Sequence, residues 1–128
     1  MQALFKGLFQ ADLIRNITTD GSYMAIDRAR IIAELGLDAE IVNELVTEFV
    51  TQTEETLKAL EAAVAAGDFT AISDTAHSIK GSSGNLRMDD LYNLCKETEM
   101  NAKGPKDITA IQALLVKIRA AFEEIKKG

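Results

Sequence analysis

The sequence predicts an all-α fold: an antiparallel four-helix bundle with an extra N-terminal helical segment. Three observations carry this. Four long stretches place apolar residues at three- and four-residue steps, and Asp and Gly mark the junctions between them. The composition also holds one Pro, no Trp and only 5% aromatic residues, which points away from a β-sandwich. With 128 residues, 47% hydrophobic and 27% charged, the chain can bury one sizeable core.

At the N-terminus, Leu4, Phe5, Leu8, Phe9, Leu13 and Ile17 form an amphipathic stripe that stops at Thr18-Thr19-Asp20-Gly21-Ser22. Residues 1–21 are therefore read as a helix or linker, and residues 22–128 as the bundle. Asp27 can cap a short lead-in helix carrying Ala29, Ile32 and Leu35, which Gly36 ends. From Asp38 a long helix is expected to about Ala66, with Ile41, Leu45, Phe49, Leu57, Leu60 and Val64 inward; at 1.5 Å per residue it spans roughly 40 Å. Gly67 closes it and Asp68 caps the next helix, whose apolar line runs Phe69, Ile72, Ala76, Ile79 and Leu86 if Ser83 fills the missing step. A further helix, from about Met88 to Lys103, turns Leu91, Leu94, Cys95 and Ala102 inward and ends at Gly104-Pro105. The last begins near Asp107 and reads Ile108, Ile111, Leu115, Ile118, Phe122, Ile125, a narrow seam suited to bundle packing. Met24, Met88 and Met100 lie on different segments and are read as packing residues.

Composition excludes several functions. A net charge of −6 repels nucleic-acid backbones and anionic lipid surfaces. One Cys and one His cannot assemble a zinc set or a disulfide framework, and Cys95 sits on an apolar stripe where it fills core. No stretch approaches a membrane span, and the N-terminus lacks a signal peptide's cleavage pattern, so the cytoplasm is the expected address. No glycine loop has the strand before it or the Gly-Lys-Ser/Thr ending that would cradle a nucleotide.

The one histidine stands apart from the core. On a helical wheel His77 falls about 130° from the stripe through Ile72, Ala76 and Ile79, so it faces solvent. Ser73 and Asp74 lie one turn before it, Lys80 and Gly81 one turn after, and Gly84 two turns after. Glycines inside a helix cost about 0.5–1 kcal/mol each, and stability alone would not choose Gly81 and Gly84. Either the helix ends near Lys80 with Gly81 as its cap, or the missing side chains let another protein come close to His77. A neutral imidazole can attack a phosphoryl centre, and Lys80 can neutralise charge gathering on the transferred oxygens. Asp74 is read as a solvated acid, with holding the imidazole's tautomer as the alternative.

The segment Ala76-His77-Ser78-Ile79-Lys80-Gly81-Ser82-Ser83-Gly84-Asn85-Leu86 resembles the phosphorylation-site helix of histidine-containing phosphotransfer (Hpt) domains, and the resemblance extends over about Met24 to Lys127. It implies a four-helix bundle in which His77 accepts a phosphoryl group from a receiver-domain aspartate and passes it to another receiver. It further implies that Lys80 contacts the phosphoryl oxygens and that Ser73, Asp74, Gly81, Ser82 and Gly84 form the docking face. The implied partners are response-regulator receiver domains and a hybrid sensor histidine kinase, with the chain itself a monomer that binds no nucleic acid and enters no membrane. It needs no cofactor or metal of its own, since Mg²⁺ is expected in the receiver, and it is a carrier more than an enzyme. Where the family usually has Gly after Asn-Leu, Arg87 stands here, which leaves the shape of the helix end open. Two rival readings are the phosphoryl-accepting domain of a chemotaxis-type histidine kinase and a non-catalytic helical interaction module.

Overall fold

The computed structural model describes residues 27–127, and among these it contains five helices and no strand. They are α1 (Arg28–Leu35), α2 (Ala39–Ala66), α3 (Phe69–Asn85), α4 (Asp89–Lys103) and α5 (Ile108–Lys127). The expected N-terminal segment at residues 1–21 and Met24 lie outside the described residues. No helix among the described residues is long and apolar enough to cross a membrane.

Local chemistry sets the boundaries. The carboxylates of Asp27, Asp38 and Asp68 each accept from the backbone N–H three residues on, at 3.0–3.1 Å, satisfying donors that the first helical turn leaves unpaired. Gly36 and Gly67 end α1 and α2 in the left-handed conformation, at φ 69° and 67°, where a Cβ would be strained. Asp107 accepts from the N–H groups of Thr109 and Ala110, opening α5.

Short connections make successive helices antiparallel neighbours, and α2, α3, α4 and α5 close into a ring in which α5 packs back on α2. Leu57, Leu60, Ile72, Ile79, Leu91, Cys95, Ile111, Ile118 and Phe122 fill the centre, with Phe49 and Phe122 meeting edge to face at 6.5 Å. Burial pushes the Cys95 thiol up to about 12, so it remains an inert core residue.

The inward faces depart from the expected stripes at three places. In α2 the buried line is Val42, Val46, Phe49, Thr53, Leu57, Leu60 and Val64, and Ile41 is 41% exposed. Thr53 fills the step between Phe49 and Leu57 that apolar spacing alone skips, and the first two turns face inward with Val42 and Val46, joined to Phe49 by a three-residue step, in place of Ile41 and Leu45. In α1 the buried residue is Ile31, while Ala29 is exposed and Ile32 and Leu35 are half-buried, because α2 is the one described helix that α1 packs against. Met88 is buried, but Met100 is largely exposed on the outer face of α4 and does no packing.

α3 runs unbroken through Gly81 and Gly84, and Ser83 fills the inward step as the spacing required. Its buried hydroxyl donates to the carbonyls of Ile79 and Lys80 at 2.8 and 3.1 Å, so a polar group fits the core with its partners supplied by its own helix. The helix end keeps a left-handed residue, Arg87 at φ 57°, although it is not glycine. Its guanidinium donates to the carbonyls of Gly84 and Asn85 at the end of α3, the first of which also accepts from the Arg87 backbone N–H, and to Glu34 of α1 at 2.7 Å. The substitution therefore keeps the turn and ties α1 to the corner between α3 and α4.

Candidate functional site

The side chain of His77 is 66% exposed on the outer face of α3. Its Nδ1 lies 3.0 Å from Oε2 of Glu99. Glu99 projects from α4, the helix against which α3 packs, and its side chain is only 8% exposed. The carboxylate also receives Lys80 Nζ at 2.8 Å on Oε1 and Lys103 Nζ at 3.1 Å on Oε2. The bond from Lys80, with those from Lys103 and His77 behind it, lowers the Glu99 carboxyl to about 2. An ionised carboxylate only accepts hydrogen bonds, so Nδ1 carries the proton of the neutral ring and Nε2 keeps the lone pair. Among the described residues no hydrogen bond engages Nε2, on a side chain that is mostly in solvent.

Lys80 is less free than an ordinary surface lysine. Its side chain is 23% exposed, and the bond to Glu99 raises its ammonium above the usual lysine range. Lys103 shares the same carboxylate from one turn further along α4 and is 66% exposed. A shallow cleft of about 290 Å³ opens beside these groups, lined by Phe69, Thr70, Ser73, Asp74, Ala102, Lys103 and Lys106.

The sequence-predicted docking residues divide. Gly81 is exposed with nothing within 4 Å of where a Cβ would stand, and Ser82 and Asp74 are also exposed. Ser73 is buried, because α3 is covered by α4 as well as by α2 and the sheltered arc is wider than one apolar stripe. Gly84 is covered too: a Cβ there would stand 3.0 Å from Cδ1 and 3.2 Å from Cε1 of Tyr92 in α4. Its missing side chain makes room for this chain's own ring. Asp74 makes no bond to the imidazole, which Glu99 holds instead.

A comparison against known protein families gives a match to the Hpt domain over residues 44–128. This chain belongs to the Hpt domain family. Among solved structures, histidine-containing phosphotransfer protein B (HptB) from Pseudomonas aeruginosa PAO1 is similar, with 35% identity and a TM-score of 0.64, covering 73% of this chain and 82% of that one. There is no significant match among curated proteins. As an Hpt domain the chain is a histidine phosphotransfer carrier of phosphorelays.

Within this Hpt bundle, sequence reading missed two groups at the site, Glu99 and Lys103. A signal for the first was present: stepping from Leu91 by fours gives Cys95 and then Glu99, so a carboxylate lies on the inward stripe of α4. A charge there requires a partner, and the only question was which. Lys103, four residues on, follows from helical spacing once Glu99 is recognised.

Proposed function

We propose that this Hpt domain accepts a phosphoryl group on Nε2 of His77 from the phosphorylated aspartate of a response-regulator receiver domain, and passes it to the aspartate of another. One observation carries the reading: an exposed imidazole whose Nδ1 is held by a buried, ionised carboxylate, which leaves Nε2 as the outward nucleophile. The Nε2 lone pair forms the new N–P bond in line as the acyl phosphate's P–O bond breaks, and that electron pair leaves on the donor's carboxylate. Lys80 adds positive charge beside the transferring oxygens while keeping Glu99 ionised. The receiver supplies Mg²⁺ and the remaining carboxylates. Asp74, Gly81 and Ser82 are the part of the expected docking line that stands open on α3, and Gly81 gives a receiver loop room one turn from the imidazole. A hybrid sensor kinase that carries its own receiver fits the upstream position.

The test is to mix the protein with a phosphorylated receiver domain and Mg²⁺, then measure intact mass and the acid lability of the added group. Wild type is expected to gain one acid-labile phosphoryl group and His77→Gln none. Label persisting in the mutant would overturn the assignment.

A further inference from the structure

The carrier reading leaves one cation at the site without a task. Glu99 brings one negative charge and receives two ammonium groups, so with a neutral imidazole the cluster carries one cation more than it needs. Lys80 suffices as the counter-ion: it is the closer of the two at 2.8 Å, the better sheltered, and the only one on Oε1. Lys103 shares Oε2 with His77 and is mostly in water, where an ion pair contributes little and is easily given up. The two lysines also approach from opposite directions. Lys80 stands one turn after His77 on α3, whereas Lys103 lines the cleft beside Ser73 and Asp74, one turn before it.

We propose that Lys103 is a second phosphoryl-contacting cation, delivered by α4, which leaves Glu99 for the transferred oxygens while Lys80 stays with the carboxylate. This rests on the carrier reading with His77 as acceptor. As the N–P bond forms and the donor's bond to phosphorus breaks, negative charge spreads over three oxygens beside an imidazole flanked by both ammonium groups. Both lysines keep their protons, and the leaving electron pair goes to the donor. Transfer turns the surplus cation into a needed one, since the phosphoryl group adds more negative charge than Lys80 alone can meet while bound to Glu99. The other charged groups at the cleft are Asp74 and Lys106; Asp74 makes no ion pair with Lys103 that would hold it back.

Potassium phosphoramidate separates this role from partner docking, because it phosphorylates imidazole directly, with loss of ammonia and no bound protein. Lys103→Gln is expected to take acid-labile label on His77 about tenfold more slowly than wild type, and Lys103→Arg at close to the wild-type rate. The ¹⁵N shifts of the unphosphorylated His77 ring should be the same in all three proteins, since Oε2 of Glu99 still holds Nδ1 and Lys80 still holds Oε1 of that carboxylate. Labelling of Lys103→Gln at the wild-type rate would overturn the proposal. So would ring shifts that change along with the rate, which would make Lys103 a support for Glu99. A folded wild type that takes label from neither phosphoramidate nor a phosphorylated receiver overturns the carrier reading itself.

Discussion

Gly81 and Gly84 lie in the same helix and look alike in sequence, yet replacing each by Ala should move stability in opposite directions. Gly81 has helical backbone, is exposed, and has no atom within 4 Å of a built Cβ. Gly81→Ala should therefore gain the helix-propensity difference, about 1 kcal/mol, which is about 4 °C in Tm for a domain of this size. Gly84→Ala has the same gain available but places a Cβ 3.0 and 3.2 Å from the half-buried ring of Tyr92. Shifting that ring costs roughly 1–3 kcal/mol, so the net change is expected between zero and about 2 kcal/mol of destabilisation. Urea and thermal unfolding of the two variants give the stabilities, and single-turnover transfer from a phosphorylated receiver gives the function. Gly81→Ala should be the more stable protein and the poorer acceptor, slowed by at least about tenfold because its methyl stands where a receiver loop would approach. Loss of stability in Gly81→Ala, or an equal gain in Gly84→Ala, would refute the packing argument. An unchanged transfer rate in Gly81→Ala would refute the docking argument.

Acid should reveal the Glu99 cluster. Its folded-state value of about 2 lies below the ordinary carboxyl value of 4.5, so the stabilisation is complete above about pH 5 and fades as pH falls towards 2. After discounting for the exposed partners His77 and Lys103, it amounts to about 1–2 kcal/mol. Glu99→Gln should be less stable than wild type by that amount at pH 7 and equal to it near pH 2, and a difference independent of pH in denaturant titrations would contradict this. At the end of α3, Arg87→Ala keeps the left-handed strain and loses the bonds to Glu34, Gly84 and Asn85, costing about 1–2 kcal/mol. Arg87→Gly loses the same bonds but relieves about 1 kcal/mol of strain, so its urea midpoint should lie above that of Arg87→Ala.

What could be read along the chain was whatever repeats within one helix. Asp27, Asp38, Asp68 and Gly36, Gly67 mark ends because capping joins residues two to four apart. Outward placement of His77 and inward placement of Ser83 follow from a single wheel. The misreadings share one cause: a wheel shows one helix's own apolar stripe and not how many neighbours cover it. Ser73 and Gly84 lie on the flank of α3 that α4 shelters, so they are buried or covered although they sit off the stripe. Ile41 and Met100 are apolar but face no neighbour, and stay exposed.

The sequence by itself determined that the chain is helical, where Asp and Gly cap its helices, and that an imidazole stands in water with a lysine one turn away, since each depends on contacts within a few residues. Only the tertiary structure decided which ring nitrogen is free. Glu99 is twenty-two residues from His77 along the chain, and its bond to Nδ1 exists because α3 and α4 lie side by side. The same packing ties Lys80 to the carboxylate and leaves Lys103 exposed at its edge, because the interior supplies one sheltered position for a counter-ion and the second cation must remain in solvent.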